Sequence, residues 1–161
     1  MELSHLDEKG NARMVDVSEK THTLRIATAS GIVTMDAATL DLIQNNGLPK
    51  GDVFATARIA GIQGAKRTHE LIPMCHNLPL DAVFVGFTID APNRCIHITA
   101  TVKCIWKTGV EMEALTAVAI AGLTIYDMVK AVDKNVVISE IRLETKSGGK
   151  SGEFIRERKV L

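Results

Sequence analysis

Residues 82–106, AVFVGFTIDAPNRCIHITATVKCIW, together with residues 111–132, EMEALTAVAIAGLTIYDMVKAV, decide the fold. Ala82 to Ile89 is rich in Val and Phe, and Pro92-Asn93 supplies a turn. Cys95, His97, Thr99 and Thr101 then alternate with Ile96, Ile98 and Ala100, so the first stretch reads as a β-hairpin. Lys107-Thr108-Gly109 breaks the second strand. From Glu111 to Val132 the composition shifts to Ala, Leu, Ile and Met, the mark of a helix apolar almost all round and hence buried on most sides.

Upstream, Thr21 to Met35 reads as β structure with a turn at Ser30-Gly31. Asp36 can cap a short helix through about Ile43, which Asn45-Asn46-Gly47 ends. After the loop Leu48-Pro49-Lys50-Gly51, Asp52 caps a second helix with Val53, Ala57, Ala60 and Gly64 near one stripe, and Pro73 marks its latest possible end. Downstream, Val136 to Leu143 returns to strand character, and residues 146–161 form a flexible, glycine-rich, charged segment. The first 20 residues show no steady period and read as an irregular arm.

The order strand, helix, strand, strand, helix, strand is the split β-α-β pattern of an α+β, ferredoxin-like sandwich with an antiparallel sheet and an extra short helix. A chain of 161 residues fits one such domain, residues 1–161. That fold leaves one sheet face open. Apolar residues on both alternations of the strands (Phe84 and Val85, Cys95 and Ile96) imply that another subunit covers this face or a helix.

Lys plus Arg equals Asp plus Glu at 19 each, so no bulk positive field exists to hold nucleic acid or an anionic membrane. With six aromatics, stacking platforms for single strands are scarce. Cys75, Cys95 and Cys104 are odd in number and lack a C-x-x-C pair, which suits a reducing compartment. Acidic residues stand near Met1 where a signal peptide carries basic ones, and no run of about 18 apolar residues occurs; a cytoplasmic chain outside the membrane is expected.

Asp127 and Lys130, spaced i, i+3, can meet on the second long helix, as a surface ion pair or as a proton-transfer pair. Glu113 and Asp127 lie 14 residues apart, about 21 Å along a straight helix and about 40° offset. They cannot serve one reacting atom in one chain. Either the ligand is long, or each site joins one subunit's Glu113 end to a neighbour's Asp127 end. Cys75-His76, held between Pro73 and Pro79, can be a nucleophile with its base, two metal ligands, or a packed thiol beside a satisfied histidine. Adjacent residues rarely point at one metal and no second cluster at familiar spacing completes the set, so no metal site is expected. Lys50-Gly51, Lys66-Arg67 and Lys146-Ser147-Gly148-Gly149-Lys150 are candidate anion-binding elements. The last contains Gly-Lys-Ser, but Glu144 holds a position where a P-loop needs glycine, so it is either a phosphate-covering tail or a solvated terminus.

Met14-Val-Asp-Val-Ser18, the block from Lys50 to Gln63, Lys66-Arg-Thr68, Leu71-Ile-Pro73 with Cys75-His76, Lys107 to Thr116, Leu123 to Met128 and Lys146 to Gly152 together resemble the signature blocks of the MoaC family. The likeness runs in order over about residues 13–153. It departs at Asn77, where proline is common, and at Met74, where leucine is common. The resemblance implies a lyase of molybdenum cofactor biosynthesis. Its substrate would be 3',8-cyclo-7,8-dihydro-GTP, supplied by a radical-SAM GTP cyclase, and its products cyclic pyranopterin monophosphate and diphosphate, with no cofactor. It further implies a homohexamer, a trimer of dimers, with active sites between subunits. Carried over by position, Asp127 would be the catalytic acid/base, with Lys50, His76, Glu111, Glu113 and Lys130 around it. Met74, Cys75, His76, Met112 and Glu113 would contact substrate, and Arg25 and Lys146 would help hold phosphates. The competing reading is a non-enzymatic oligomeric module that senses a purine nucleotide, since fold alone licenses no function.

Overall fold

The computed structural model describes residues 9–150 and 152–157. The expectations drawn from the amino-terminal Met1 region, from Ser151 and from residues 158–161 lie outside the described residues. The elements are β1 (Thr23–Thr34), α1 (Ala37–Gln44), α2 (Val53–Lys66), α3 (Thr68–Leu71), β2 (Ala82–Asp90), β3 (Cys95–Trp106), α4 (Glu111–Val129), β4 (Val137–Ser147) and β5 (Phe154–Ile155). The strands form one antiparallel sheet in the order β2-β3-β1-β4-β5. This is the ferredoxin-like α+β arrangement, with β5 added at one edge and α1 and the single turn α3 inserted around α2.

The even residues of β3 and the odd residues of β1 turn toward α2 and α4. Ala27, Ala29, Val33, Ile96, Ile98, Ala100 and Val102 are thereby buried against Ala114, Ala117, Val118, Ala121 and Ile125 of α4. Small residues at the contact let the helix lie close to the strands. By length and composition α4 could cross a membrane, yet 56% of that stretch is buried inside the protein, as befits a core helix. On the opposite face Leu24, Phe84, Ile105 and Val137 are more than half exposed.

Several boundaries differ from the sequence expectations, each for a tertiary reason. No turn interrupts β1 at Ser30-Gly31. A Cβ on Gly31 would lie 2.6 Å from Val118 Cγ1, so the glycine makes room for α4, and the irregularity falls in the pairing with β4 instead. Asp36 precedes α1 but its side chain caps nothing. The buried Asp133 carboxylate accepts from the Asp36 N–H (3.0 Å) and the Thr39 hydroxyl (3.2 Å), tying the start of α1 down. Asp52 does cap α2, accepting from the Ala55 N–H at 2.9 Å. Helix α4 ends at Val129 rather than Val132, and strand β4 runs from Val137 to Ser147 rather than stopping at Leu143, because its later half pairs with β1 and β5. Lys146 and Ser147 therefore lie on a strand, ahead of Gly148 and Gly149 at φ 97 and 77.

Candidate active site

The residues singled out by sequence fall at the two ends of α4. At its C-terminal end, Asp127 receives the Lys130 ammonium at 2.6 Å and the Lys50 ammonium at 2.8 Å. Lys50 also donates to the Asp127 backbone carbonyl at 2.7 Å, spending itself on one of the carbonyls a helix end leaves unpaired. The hydrogen bonds from Lys130 and then Lys50 pull the Asp127 carboxyl down to about 2, and Asp127 in turn raises Lys130. All three side chains are about half exposed.

The N-terminal end has the opposite character. Glu113 is buried, and desolvation, reinforced by the neighbouring Glu111 charge, pushes its carboxyl up to about 7. It lines a hollow of about 400 Å³ with Cys75, His76, Glu111, Met112, Val15, Val17 and Lys20. Burial and the Glu113 charge raise the Cys75 thiol, so it is no ready nucleophile. His76 Nε2 donates to the Val15 carbonyl at 2.9 Å, which places its proton on that nitrogen. Met74 is half-buried just before Cys75.

A second hollow of about 990 Å³ shares Lys20, Thr108, Gly109 and Glu111 with the first. Its wall carries Lys20, Arg25, Lys107, Lys146 and Lys150 against Asp16, Glu19 and Glu111, the local basic cluster that a chain of zero net charge needs for an anion. Lys146 pairs with Glu111 at 3.0 Å. Arg25 donates through Nε and Nη2 to the carbonyls of Trp106 (3.4 Å) and Lys107 (3.2 Å). The guanidinium lies close against Gly149, where a Cβ would sit 1.7 Å from Arg25 Nη1. Among the described residues, Thr23 Oγ1 is the buried side-chain oxygen without a protein partner, and it lines this hollow.

The chain thus brings Lys50 and Lys130 to Asp127, and His76, Glu111 and Glu113 to the far end of the same helix. The expected gathering of all five around Asp127 does not occur within one chain, in keeping with the 14-residue spacing. Sequence reasoning assigned no role to the arm residues Val15, Val17 and Lys20 or to Lys107. The Lys107 ammonium bonds the Ser18 carbonyl at 2.8 Å and ties the arm down across both hollows. The block Met14 to Ser18 carried that signal, but an aperiodic stretch gives no clue to where it docks.

An open ferredoxin-like sheet thus carries a long helix that separates a lysine-bound carboxylate from a buried carboxyl pushed up to about 7. The sequence model described as the MoaC family matches residues 14–149, and the chain belongs to that family. Its relatives include the cyclic pyranopterin monophosphate synthase of Chloroflexus aggregans, 60% identical over 97% of this chain and 94% of the relative. The synthase of Desulfitobacterium hafniense is 58% identical over 98% and 96%. Cyclic pyranopterin monophosphate synthase 1 of Mycobacterium tuberculosis is 59% identical over 96% and 90%.

Proposed function

We propose that this chain is a cyclic pyranopterin monophosphate synthase, a lyase of molybdenum cofactor biosynthesis that converts 3',8-cyclo-7,8-dihydro-GTP into cyclic pyranopterin monophosphate and diphosphate. The observation that carries the reading is near-full-length identity of about 60% to synthases so named. The divided site agrees with the chemistry. Opening the five-membered purine ring and closing a pyrazine needs several proton transfers, and a carboxyl near 7 gives and takes protons at neutral pH. Glu113 is the proton carrier of the smaller hollow in this reading, with His76 and Glu111 beside it.

Closing the cyclic phosphate and releasing diphosphate requires cations on phosphate oxygens. The larger hollow supplies Arg25, Lys107 and Lys146, and its volume lies in the range of small-molecule sites. Asp127, held ionised by two lysines, takes part when a phosphate draws Lys50 or Lys130 away; its carboxyl then rises from about 2 and can accept a proton.

Because α4 keeps Glu113 and Asp127 at opposite ends, the site in this reading is shared between subunits, and the resemblance to the family implies that they form a homohexamer, a trimer of dimers. The exposed Leu24, Phe84, Ile105 and Val137 offer apolar surface for such contacts. The substrate would arrive from a radical-SAM GTP cyclase, and the free Cys75, Cys95 and Cys104 suit the reducing cytoplasm. Incubating purified protein with the cyclised GTP intermediate, with mass detection of pterin and diphosphate, tests the reading. Equimolar appearance of both supports it, and return of the nucleotide unchanged identifies a sensor instead.

A further inference from the structure

We propose that Asp90, Cys95 and His97 form a zinc-binding site at the mouth of the β2–β3 turn, on the sheet face turned away from α2 and α4. Asp90 and Cys95 are the last register pair of the hairpin, and His97 follows Cys95 by two, so all three side chains project from the same face. His97 Nε2 lies 3.5 Å from Asp90 Oδ2 and 3.6 Å from Cys95 Sγ, and the three donor atoms fall within 4.8 Å of one another. Tetrahedral zinc with ordinary Zn–S, Zn–N and Zn–O bonds sets its ligands about 3.4–3.6 Å apart. The observed separations match two edges of that figure before any metal is added.

The donors are held in place. Asn93 in the turn donates its N–H to Asp90 Oδ1 (3.2 Å) and its side-chain amide to Oδ2 (2.8 Å), the outer-shell support that fixes a ligating carboxylate. Cys95 is 5% exposed, which shields a metal–sulfur bond, while the His97 side chain is 43% exposed in the single chain. A thiolate, an imidazole and a carboxylate suit zinc and exclude magnesium or calcium, which take oxygen donors. Three protein ligands leave one position for water. On binding, the Cys95 S–H gives its proton to solvent and the S–Zn bond forms, so affinity rises with pH. The site ties the end of the hairpin and lies across the sheet from both ends of α4.

Cobalt(II) is the probe, because a Co–thiolate bond absorbs in the near ultraviolet. The full-length protein, stripped with chelator and titrated, is expected to take one cobalt per chain with that band, and excess zinc should displace it. Cys95→Ser should abolish the band, and His97→Ala should weaken cobalt binding at least ~10-fold, as should Asn93→Ala within ~10–100-fold. Saturating zinc should raise the Tm of the wild type and leave that of His97→Ala unmoved, which keeps the test valid if Cys95→Ser fails to fold. Absence of a thiolate band, a band removed by Cys75→Ser instead, or equal zinc stabilisation of His97→Ala overturns the proposal.

Discussion

The two ends of α4 carry the same chemical group in opposite states. At the N-terminal end Glu113 is buried and desolvation pushes it up to about 7; at the C-terminal end Asp127 stands half exposed between two ammonium groups and is pulled down to about 2. Helix dipole cannot explain this, since it favours a charged carboxylate at the N-terminus and disfavours one at the C-terminus. Desolvation and ion pairing outweigh it at both ends. One helix therefore presents a carboxyl raised to about 7 and one lowered to about 2, some 21 Å apart on helix geometry, about four turns, too far to reach one reacting atom within one chain.

The largest expected effect comes from breaking the charged end. Asp127→Ala or Lys50→Ala should lower pterin formation by ~10²–10⁴-fold with fold and assembly intact, as measured by product mass and by size-exclusion chromatography. Near-normal yield from either would remove that end from the chemistry. Glu113→Gln should follow, with a loss of ~10²-fold and disappearance of the pH-rate limb near 7. Its stability should change in a defined direction. The folded-state pKa of Glu113 lies above its ordinary 4.5, so the folded protein binds the extra proton between pH 4.5 and 7 and loses stability as pH rises through that window. The loss reaches about 3 kcal/mol at pH 7, and denaturant titrations of Glu113→Gln should lack it. Asp127 works in reverse: its contribution is present above its ordinary 3.8 and disappears as pH falls toward 2.

Sharing between subunits is tested by mixing. Inactive Asp127→Ala and Glu113→Ala proteins, unfolded and reassembled together, should recover activity at roughly a quarter of their sites, those with both carboxylates intact. No recovery in verified mixed oligomers breaks the shared-site reading. A smaller effect is expected from Asp133→Ala. Removing the carboxylate that ties down the start of α1 and also accepts from the Asn135 N–H (2.8 Å) should cost about 1–3 kcal/mol by thermal unfolding. It should also raise KM more than it lowers kcat, because α1 leads into the loop that carries Lys50.

Much of the fold was legible in residue order. The alternation of Cys95 to Thr101 and the charge-free, largely apolar run of Leu115 to Ile125 admit few other structures, and Asp52 capped its helix as its place before Val53 predicts. The turn placed at Ser30-Gly31 failed because glycine marks both chain reversal and close approach, and only the position of Val118 distinguishes them. The Asp36 side chain caps nothing; instead Asp133, 97 residues away, accepts from the Asp36 backbone N–H and the Thr39 hydroxyl and ties the start of α1 to the end of α4. The zinc-ligand set went unseen for a similar reason: Asp90 joins Cys95 and His97 only once the hairpin closes.

The sequence by itself determined the order of β1, α1, α2, β2, β3, α4 and β4, the family through its ordered blocks, and the separation of Glu113 from Asp127, since helical rise is fixed by backbone geometry whatever surrounds it. The tertiary structure alone decided which carboxyl is raised and which is lowered. Protonation depends on burial and on cations brought from elsewhere in the chain, and Lys50 meets Asp127 across 77 residues, a contact that no local spacing encodes.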